Sequence, residues 1–292
     1  IGQGDFFCLV GESGCGKSIT AMALTRLTPT DEAECSGEVL FKGRDVLPLH
    51  GREIRSVRGH GGISYIFQDP MSALNPVLRI ATQMRESLPR GFSRSEAEKR
   101  MIDLLSRVDL PAPEKILRSY PCELSGGMAQ RVCIAMAMAS EPSLLIADEP
   151  STALDVVTQQ RVLELLDSIR RDTGTSIMLI THNLGLVARY GHRVSVMYAG
   201  LIIESGNAVD VLKSPRHPYT SGLIAAVPGL VDGDVETLAS IPGRVPTPSE
   251  WGAGCTFAPR CHLAMPICRV TAPHSETNAR GHSVACHAAD SD

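Results

Sequence analysis

The sequence has no apolar run long enough to cross a membrane. Stretches such as Val132–Ala139 fall well short of the roughly 20 residues a spanning helix needs. It also lacks an excess of either charge. With 28 basic and 32 acidic residues the net charge is −4, whereas a protein that lives on bulk attraction to nucleic-acid phosphate is usually basic. Lysine is scarce, 5 against 23 arginines, which reads as codon usage rather than chemistry. No signal peptide is recognisable, and the chain opens on Ile1 instead of Met, so its N-terminus reads as truncated or processed. At 43% apolar and 21% charged the composition excludes a disordered chain and a coiled coil. The 292 residues suffice for about two domains and a core that needs no staples.

Cysteine is what the sequence has in number, nine residues unevenly placed. Cys8, Cys15, Cys35, Cys122 and Cys133 are scattered, whereas Cys255, Cys261, Cys268 and Cys286 crowd the last 38 residues. A secreted disulfide scaffold does not usually divide this way. The scattered cysteines read as small buried apolar residues.

Along the chain, Asp5–Val10 is a short apolar strand, followed by a glycine-rich turn and a helical pattern from Lys17. Ile63–Phe67 reads as a strand. Residues 77–140 read as mostly helical, broken near Pro89–Gly91 and Pro111–Pro113. Ser143–Ala147 is an apolar strand. Leu154–Asp172 is an amphipathic helix with Val162, Leu165, Leu166 and Ile169 on one face and Gly174 as its cap. Ser176–Thr181 and Val194–Tyr198 are strands flanking a short helix over Leu184–Tyr190. Strands alternating with helices predict an α/β fold with a parallel sheet covered on both faces. After Pro228 the periodicity disappears and glycine, proline, histidine and cysteine dominate. A boundary is placed near 229, with a tail too poor in apolar residues to build much core.

The turn Gly11-Glu12-Ser13-Gly14-Cys15-Gly16-Lys17-Ser18 has the spacing of a phosphate-binding loop, a pattern that arises by chance on the order of once in a hundred chains of this length. Consecutive backbone N–H groups would form an anion cradle, the helix would aim its positive end at it, Lys17 would neutralise phosphates and Ser18 would hold Mg²⁺. Cys15 sits at that helix start beside a lysine, where the thiolate is favoured, so alkylation there is expected to block nucleotide turnover and ATP to protect. Leu144–Pro150 begins as an apolar run and ends in two acids and a proline. Asp148 would bind Mg²⁺, and Glu149 would polarise an attacking water. Gln68 follows its own strand and could bridge metal and water, and His182 ends a strand where it could sense the terminal phosphate. Ser125-Gly126-Gly127 opens an apolar helix, a second anion-binding geometry that two chains facing head to tail would use in trans.

In this order, GESGCGKS, FQDP, LSGGMAQR, LLIADEPSTALD and ITH resemble the ATPase subunits of ABC transporters. Met71 with Leu74-Asn75-Pro76, then Met197–Gly200, His217–Thr220 and Gly254–Cys261, are similar to the oligopeptide/dipeptide importer branch. The resemblance implies a P-loop NTPase (RecA-like) core, an antiparallel β-subdomain, a helical signature subdomain at about 70–140 and an ATPase domain over 1–228. It also implies a cysteine-rich C-terminal extension over 229–292. Two further strands, one carrying an adenine-stacking aromatic, would precede Ile1, and Phe6 and Phe7 read as core rather than replacements. ATP would bind between two subunits, with Glu149 as base, His182 as γ-phosphate switch, Gln68 as link to membrane subunits and Ser151–Asp155 crossing the dimer interface. The implied partners are a homologous ATPase subunit, two permease subunits and a solute-binding protein, at the cytoplasmic face of a bacterial inner membrane. Ala129 and Cys122 depart from that branch's common residues.

The tail spacing C-x5-C-x6-C-x17-C matches neither zinc pairs nor simple ferredoxins. The resemblance implies a [4Fe–4S] cluster in some members. Zinc, with His262, His282 or His287, and free or disulfide-linked thiols remain open. A nucleic-acid-maintenance ATPase is a second reading, weakened by the 57 positions between Gln68 and Ser125, too few for a DNA-binding insertion. Nickel complexes or glutathione remain open as cargo.

Overall fold

A computed structural model describes residues 1–28, 34–150, 155–227 and 240–289. In chain order the elements begin with β1 (Phe6–Val10), α1 (Lys17–Leu24), β2 (Leu40–Phe41), β3 (Arg44–Asp45), α2 (Gly51–Val57) and β4 (Ile63–Ile66). Next come α3 (Pro70–Ala73), α4 (Ile80–Ser87), α5 (Arg94–Arg107), α6 (Pro113–Arg118), α7 (Gly126–Ala139), β5 (Leu144–Asp148), α8 (Val156–Thr173) and β6 (Ser176–Thr181). The chain then runs through α9 (Leu184–Tyr190), β7 (Arg193–Tyr198), β8 (Leu201–Asn207), α10 (Ala208–Lys213), α11 (Pro218–Ala225), β9 (Glu276–Thr277) and β10 (Ser283–Val284). These elements form two compact units, one of Ile1–Asp5 with Ile19–Leu179, the other of Phe6–Ser18 with Ile180 onward.

In the first unit β4 and β5 run parallel, from Ile63 opposite Leu144 to Ile66 opposite Ala147. The apolar helix α7 packs on β4 and on α3, α4 and α5, burying Ala129, Val132, Ile134, Ala135 and Ala139. The periodicity of α5 buries Ala97, Met101, Leu104 and Leu105. Ser93 and Glu96 close its start as a reciprocal capping box. Truncating the fully buried Ile134 or Leu105 to alanine should cost about 2–5 kcal/mol. The helix expected over 154–172 begins at Val156, capped by the Asp155 side chain, and ends where Gly174 turns left-handed. Its buried face is Val162, Leu163, Leu166 and Ile169, so Leu163 takes the place expected of Leu165. Leu154 itself lies outside the described residues, as does the 228/229 boundary.

In the second unit β1 and β7 are parallel, from Phe7 opposite Arg193 to Val10 opposite Val196. The sheet there is mixed: β8 turns back antiparallel on β7, with a bulge at Val196/Met197. The tail then adds β10 antiparallel to β8, and β9 to β10. The tail is thus fastened by strand pairing and by a buried carboxylate. Glu204 accepts from the backbone N–H groups of Arg216 (2.7 Å) and His217 (3.0 Å) and pairs with His282 Nε2 at 2.7 Å. Phe257 supplies the core that composition left in question. It is 3% exposed and packs edge-on against Tyr198 and Tyr219.

Candidate functional site

The loop after β1 follows the glycine logic of its sequence. A Cβ at Gly11 would lie 2.2 Å from the Met197 carbonyl oxygen and 2.8 Å from Cys15 Sγ, so no side chain fits. Gly14 and Gly16 take φ of +80° and +106°, conformations that glycine adopts without strain. Lys17 opens α1 and is only 5% exposed; its Nζ folds back to donate to the Gly11 and Glu12 carbonyls at 2.9 and 3.0 Å. An ammonium held there by two neutral carbonyls is poised to exchange them for an anion. Ser13 and Gly14 are exposed at the loop tip.

Cys15 departs from expectation. It is 1% exposed, and burial pushes its thiol above the ordinary range despite the pull of Lys17, whose Nζ lies 3.9 Å from its sulfur. The lost hydration of the anion outweighs the pull of Lys17 and of the N–H groups at the helix start, so the residue is a neutral packing thiol rather than a reactive thiolate.

In the first unit, β5 delivers Asp148, 2% exposed, and Glu149, which takes φ +43°. A non-glycine residue in that region is uncommon. The amide of Gln68 donates to Glu149 Oε2 at 3.4 Å, so two of the residues singled out in sequence meet. A third partner went unread in the sequence. Tyr65, on β4, donates its hydroxyl to Asp148 Oδ2 at 2.8 Å. Burial and the Asp148 charge both push its phenol upward, so it stays a protonated donor. The parallel register sets the hydroxyl against the acid from the neighbouring strand.

Ser125 is the N-cap of α7, its Oγ accepting from the Met128 N–H at 3.3 Å, and Gly126 and Gly127 form the first turn. Ser125 and Gly126 are exposed, as is His182 just past β6. Of Ser151–Asp155, only Asp155 is among the described residues.

The four tail thiols, Cys255, Cys261, Cys268 and Cys286, line one cavity together with His287 and Phe257. Among the described residues, however, no three His, Cys, Asp or Glu side chains are grouped to hold a metal ion. The zinc alternatives lose their histidines as well. His282 is committed to Glu204, His262 is exposed, and His287 Nε2 sits 2.9 Å from the Thr271 carbonyl oxygen.

A further pair of contacts was invisible in sequence. Arg260 forms a two-pronged ion pair with Glu12 of the glycine loop, and the Tyr219 hydroxyl accepts from the Glu12 N–H at 2.9 Å.

Comparison with known proteins identifies the family. Residues 1–152 match the ABC transporter family, and residues 203–268 match the oligopeptide/dipeptide transporter C-terminal region. The chain is 45% identical over 289 residues to the probable peptide ABC transporter ATP-binding protein y4tR of Sinorhizobium fredii, covering 98% of this chain and 86% of the relative. It is 45% identical over 287 residues to the dipeptide transport ATP-binding protein DppD of Bacillus subtilis, covering 97% and 85%. Among solved structures, the ATP-binding cassette MJ0796, a dimer in a post-hydrolysis state bound to ADP and Pi, matches with a TM-score of 0.62 and 30% identity, over 71% of this chain and 87% of that one. CbiO1 from Clostridium perfringens, part of an ABC transporter complex, matches with a TM-score of 0.62 and 26% identity, over 73% and 81%. The chain belongs to the ABC transporter ATP-binding family and carries the C-terminal region of its oligopeptide/dipeptide transporters.

Proposed function

We propose that the chain is the ATP-hydrolysing subunit that powers import of di- or oligopeptides. The observation that carries this reading is Lys17, a buried ammonium folded over the carbonyls of a glycine loop in which Gly11 leaves no room for a side chain. Lys17 and the loop from Gly11 to Ser18 bind the phosphates of ATP, through backbone N–H groups other than that of Glu12, which the Tyr219 hydroxyl accepts. Ser18, Gln68 and Asp148 are the residues to hold the nucleotide's Mg²⁺, with Tyr65 fixing the Asp148 carboxylate. Glu149 accepts the proton of the attacking water, its carboxylate steered by the Gln68 amide, and His182 answers to the γ-phosphate. Ser125, Gly126 and Gly127 face the nucleotide of a partner copy, in a head-to-tail dimer with a homologous ATPase subunit.

Residues 1–228 are assigned to the ATPase domain, with its helical part at about 70–140, and 229–292 to the tail. Among the described residues no helix is long and apolar enough to cross a membrane. On this reading the subunit works with two permease subunits, fed by a solute-binding protein, as a peripheral component at the cytoplasmic face of the inner membrane. The names of the relatives support peptides as cargo.

The four tail thiols around one cavity are the residues proposed for a [4Fe–4S] cluster, with zinc as the alternative. Cys255, Cys261, Cys268 and Cys286 are the residues to hold a cluster, which would add rigidity to the tail.

The test is uptake of a labelled tripeptide by proteoliposomes carrying the assembled importer. Wild type should import with MgATP and Glu149→Gln should not. Uptake unchanged in Glu149→Gln would remove Glu149 from its role, and absence of peptide uptake with import of nickel complexes or glutathione would replace the cargo.

A further inference from the structure

The phosphate loop carries a carboxylate at its second position. Glu12 belongs to the segment assigned to a triphosphate, where an uncompensated negative charge repels the ligand. Its compensation comes from the far end of the chain. Arg260 Nη1 donates to Glu12 Oε2 at 2.7 Å and Nη2 to Oε1 at 3.1 Å, a fork-to-fork pair that combines charge with fixed geometry. The Arg260 side chain is 5% exposed, so this is not a loose surface pair.

The arginine is itself pinned. Its Nε donates to the Pro242 carbonyl at 2.7 Å, Nη2 to the Ile241 carbonyl at 3.2 Å, and Nη1 to the Tyr198 hydroxyl at 3.4 Å. Its cationic plane lies 5.7 Å from the Tyr198 ring centroid. The backbone of the same loop residue is gripped from the same side, where the fully buried Tyr219 accepts the Glu12 N–H. Tyr219, Tyr198 and Phe257 pack against one another with centroids 4.7 to 5.4 Å apart. Phe257 lies three residues before Arg260 and borders the thiol cavity.

We propose that Arg260 is a positioning residue for ATP binding: the cysteine-rich tail holds Glu12 by its side chain and the loop by that residue, and so sets nucleotide affinity. The inference rests on the reading of the loop as an ATP site. Arg260 touches neither nucleotide nor reacting atoms. It neutralises Glu12 and removes conformational freedom from a loop whose glycines otherwise leave it free, which lowers the entropy lost on binding.

The experiment measures MgATP affinity by titration calorimetry and steady-state KM and kcat on the full chain, for wild type, Arg260→Met, Arg260→Lys, Glu12→Gln and the double variant Arg260→Met/Glu12→Gln. Melting temperatures are recorded alongside. Arg260→Met should raise Kd and KM roughly tenfold, equivalent to about 1.4 kcal/mol, with kcat within about twofold. Lysine, which keeps charge but not the fork, should restore part of the loss. In the Glu12→Gln background, where no repelling carboxylate remains, Arg260→Met should cost less than half as much in Kd, and a merely structural role would instead lower the melting temperature and leave Kd unchanged. Equal costs in both backgrounds, or a Kd unchanged by Arg260→Met in a wild type that binds MgATP, would overturn the inference. Failure of the wild type to bind MgATP would instead overturn the ATP-site reading.

Discussion

Removing one oxygen at Tyr65 probes the acid-bearing strand end more cleanly than removing the acid. Tyr65→Phe keeps the ring, which packs 4.7 Å from Phe67, and deletes only the hydroxyl that donates to Asp148. A hydrogen bond to a charged group contributes about 1.5–3 kcal/mol net. Asp148 is 2% exposed, so water cannot readily replace the lost donor. At about 2–4 °C per kcal/mol for a chain of this size, the thermal transition should fall by roughly 3–12 °C. The activity effect is separate, because the carboxylate assigned to Mg²⁺ loses the contact that fixes its rotamer. We expect kcat/KM for MgATP to drop roughly tenfold, equivalent to about 1.4 kcal/mol of transition-state stabilisation. The assays are differential scanning fluorimetry with and without MgATP, and phosphate release across a Mg²⁺ titration. The activity loss should shrink as Mg²⁺ is raised, since a mispositioned ligand weakens metal affinity first. A Tyr65→Phe protein with wild-type melting and wild-type Mg²⁺ dependence would refute the reasoning.

Other outcomes follow from the same geometry. Gly11→Ala drives a methyl against the Met197 carbonyl, so β7 and the loop must part; MgATP binding should be lost or weakened at least tenfold by calorimetry, and near-normal affinity would contradict the close approach. Iodoacetamide at pH 7.5 should modify the exposed Cys35 and Cys122 well before the buried, proton-retaining Cys15, read by peptide mass mapping. Early modification of Cys15 would show that burial does not dominate. His217 is depressed to about 4 by burial, against an ordinary 6.5. The unfolded chain therefore binds a proton that the folded one refuses, and stability should fall as pH drops from about 6.5 to about 4, by up to about 3 kcal/mol. His217→Asn should flatten that slope in pH-dependent melting. Anaerobically purified protein should contain iron and sulfide, about four irons per chain. Stoichiometric zinc instead would favour a single-ion site, and no metal would leave the tail resting on β10, Phe257 and the Glu204–His282 pair.

The phosphate loop was legible because its determinants are local. An apolar strand, glycines at fixed offsets and a helix start all lie within a few residues. The strand ending at Asp148 and the helices between 80 and 139 were legible for the same reason, through an apolar run and helical spacing. What escaped is long-range. Tyr65 meets Asp148 only through the β4–β5 register, and Arg260 meets Glu12 across 248 positions. The antiparallel turn of β8 and the tail strand β10 carry weak signals, one broken by Gly206 and partly exposed, the other only two residues long. Cys15 was misjudged because its neighbours in sequence favour a thiolate, whereas its surroundings in space remove water. The tail looked coreless because one aromatic, Phe257, does most of the filling among tyrosines borrowed from β7 and α11.

Phosphate release from MgATP by the purified chain tests the central claim most directly, with wild type, Lys17→Ala and Glu149→Gln assayed side by side. The account predicts steady turnover in wild type, loss of ATP binding in Lys17→Ala, and in Glu149→Gln retained ATP binding with turnover reduced by about 10²–10⁴. ATP binding undiminished in Lys17→Ala, or full turnover in Glu149→Gln, would contradict it.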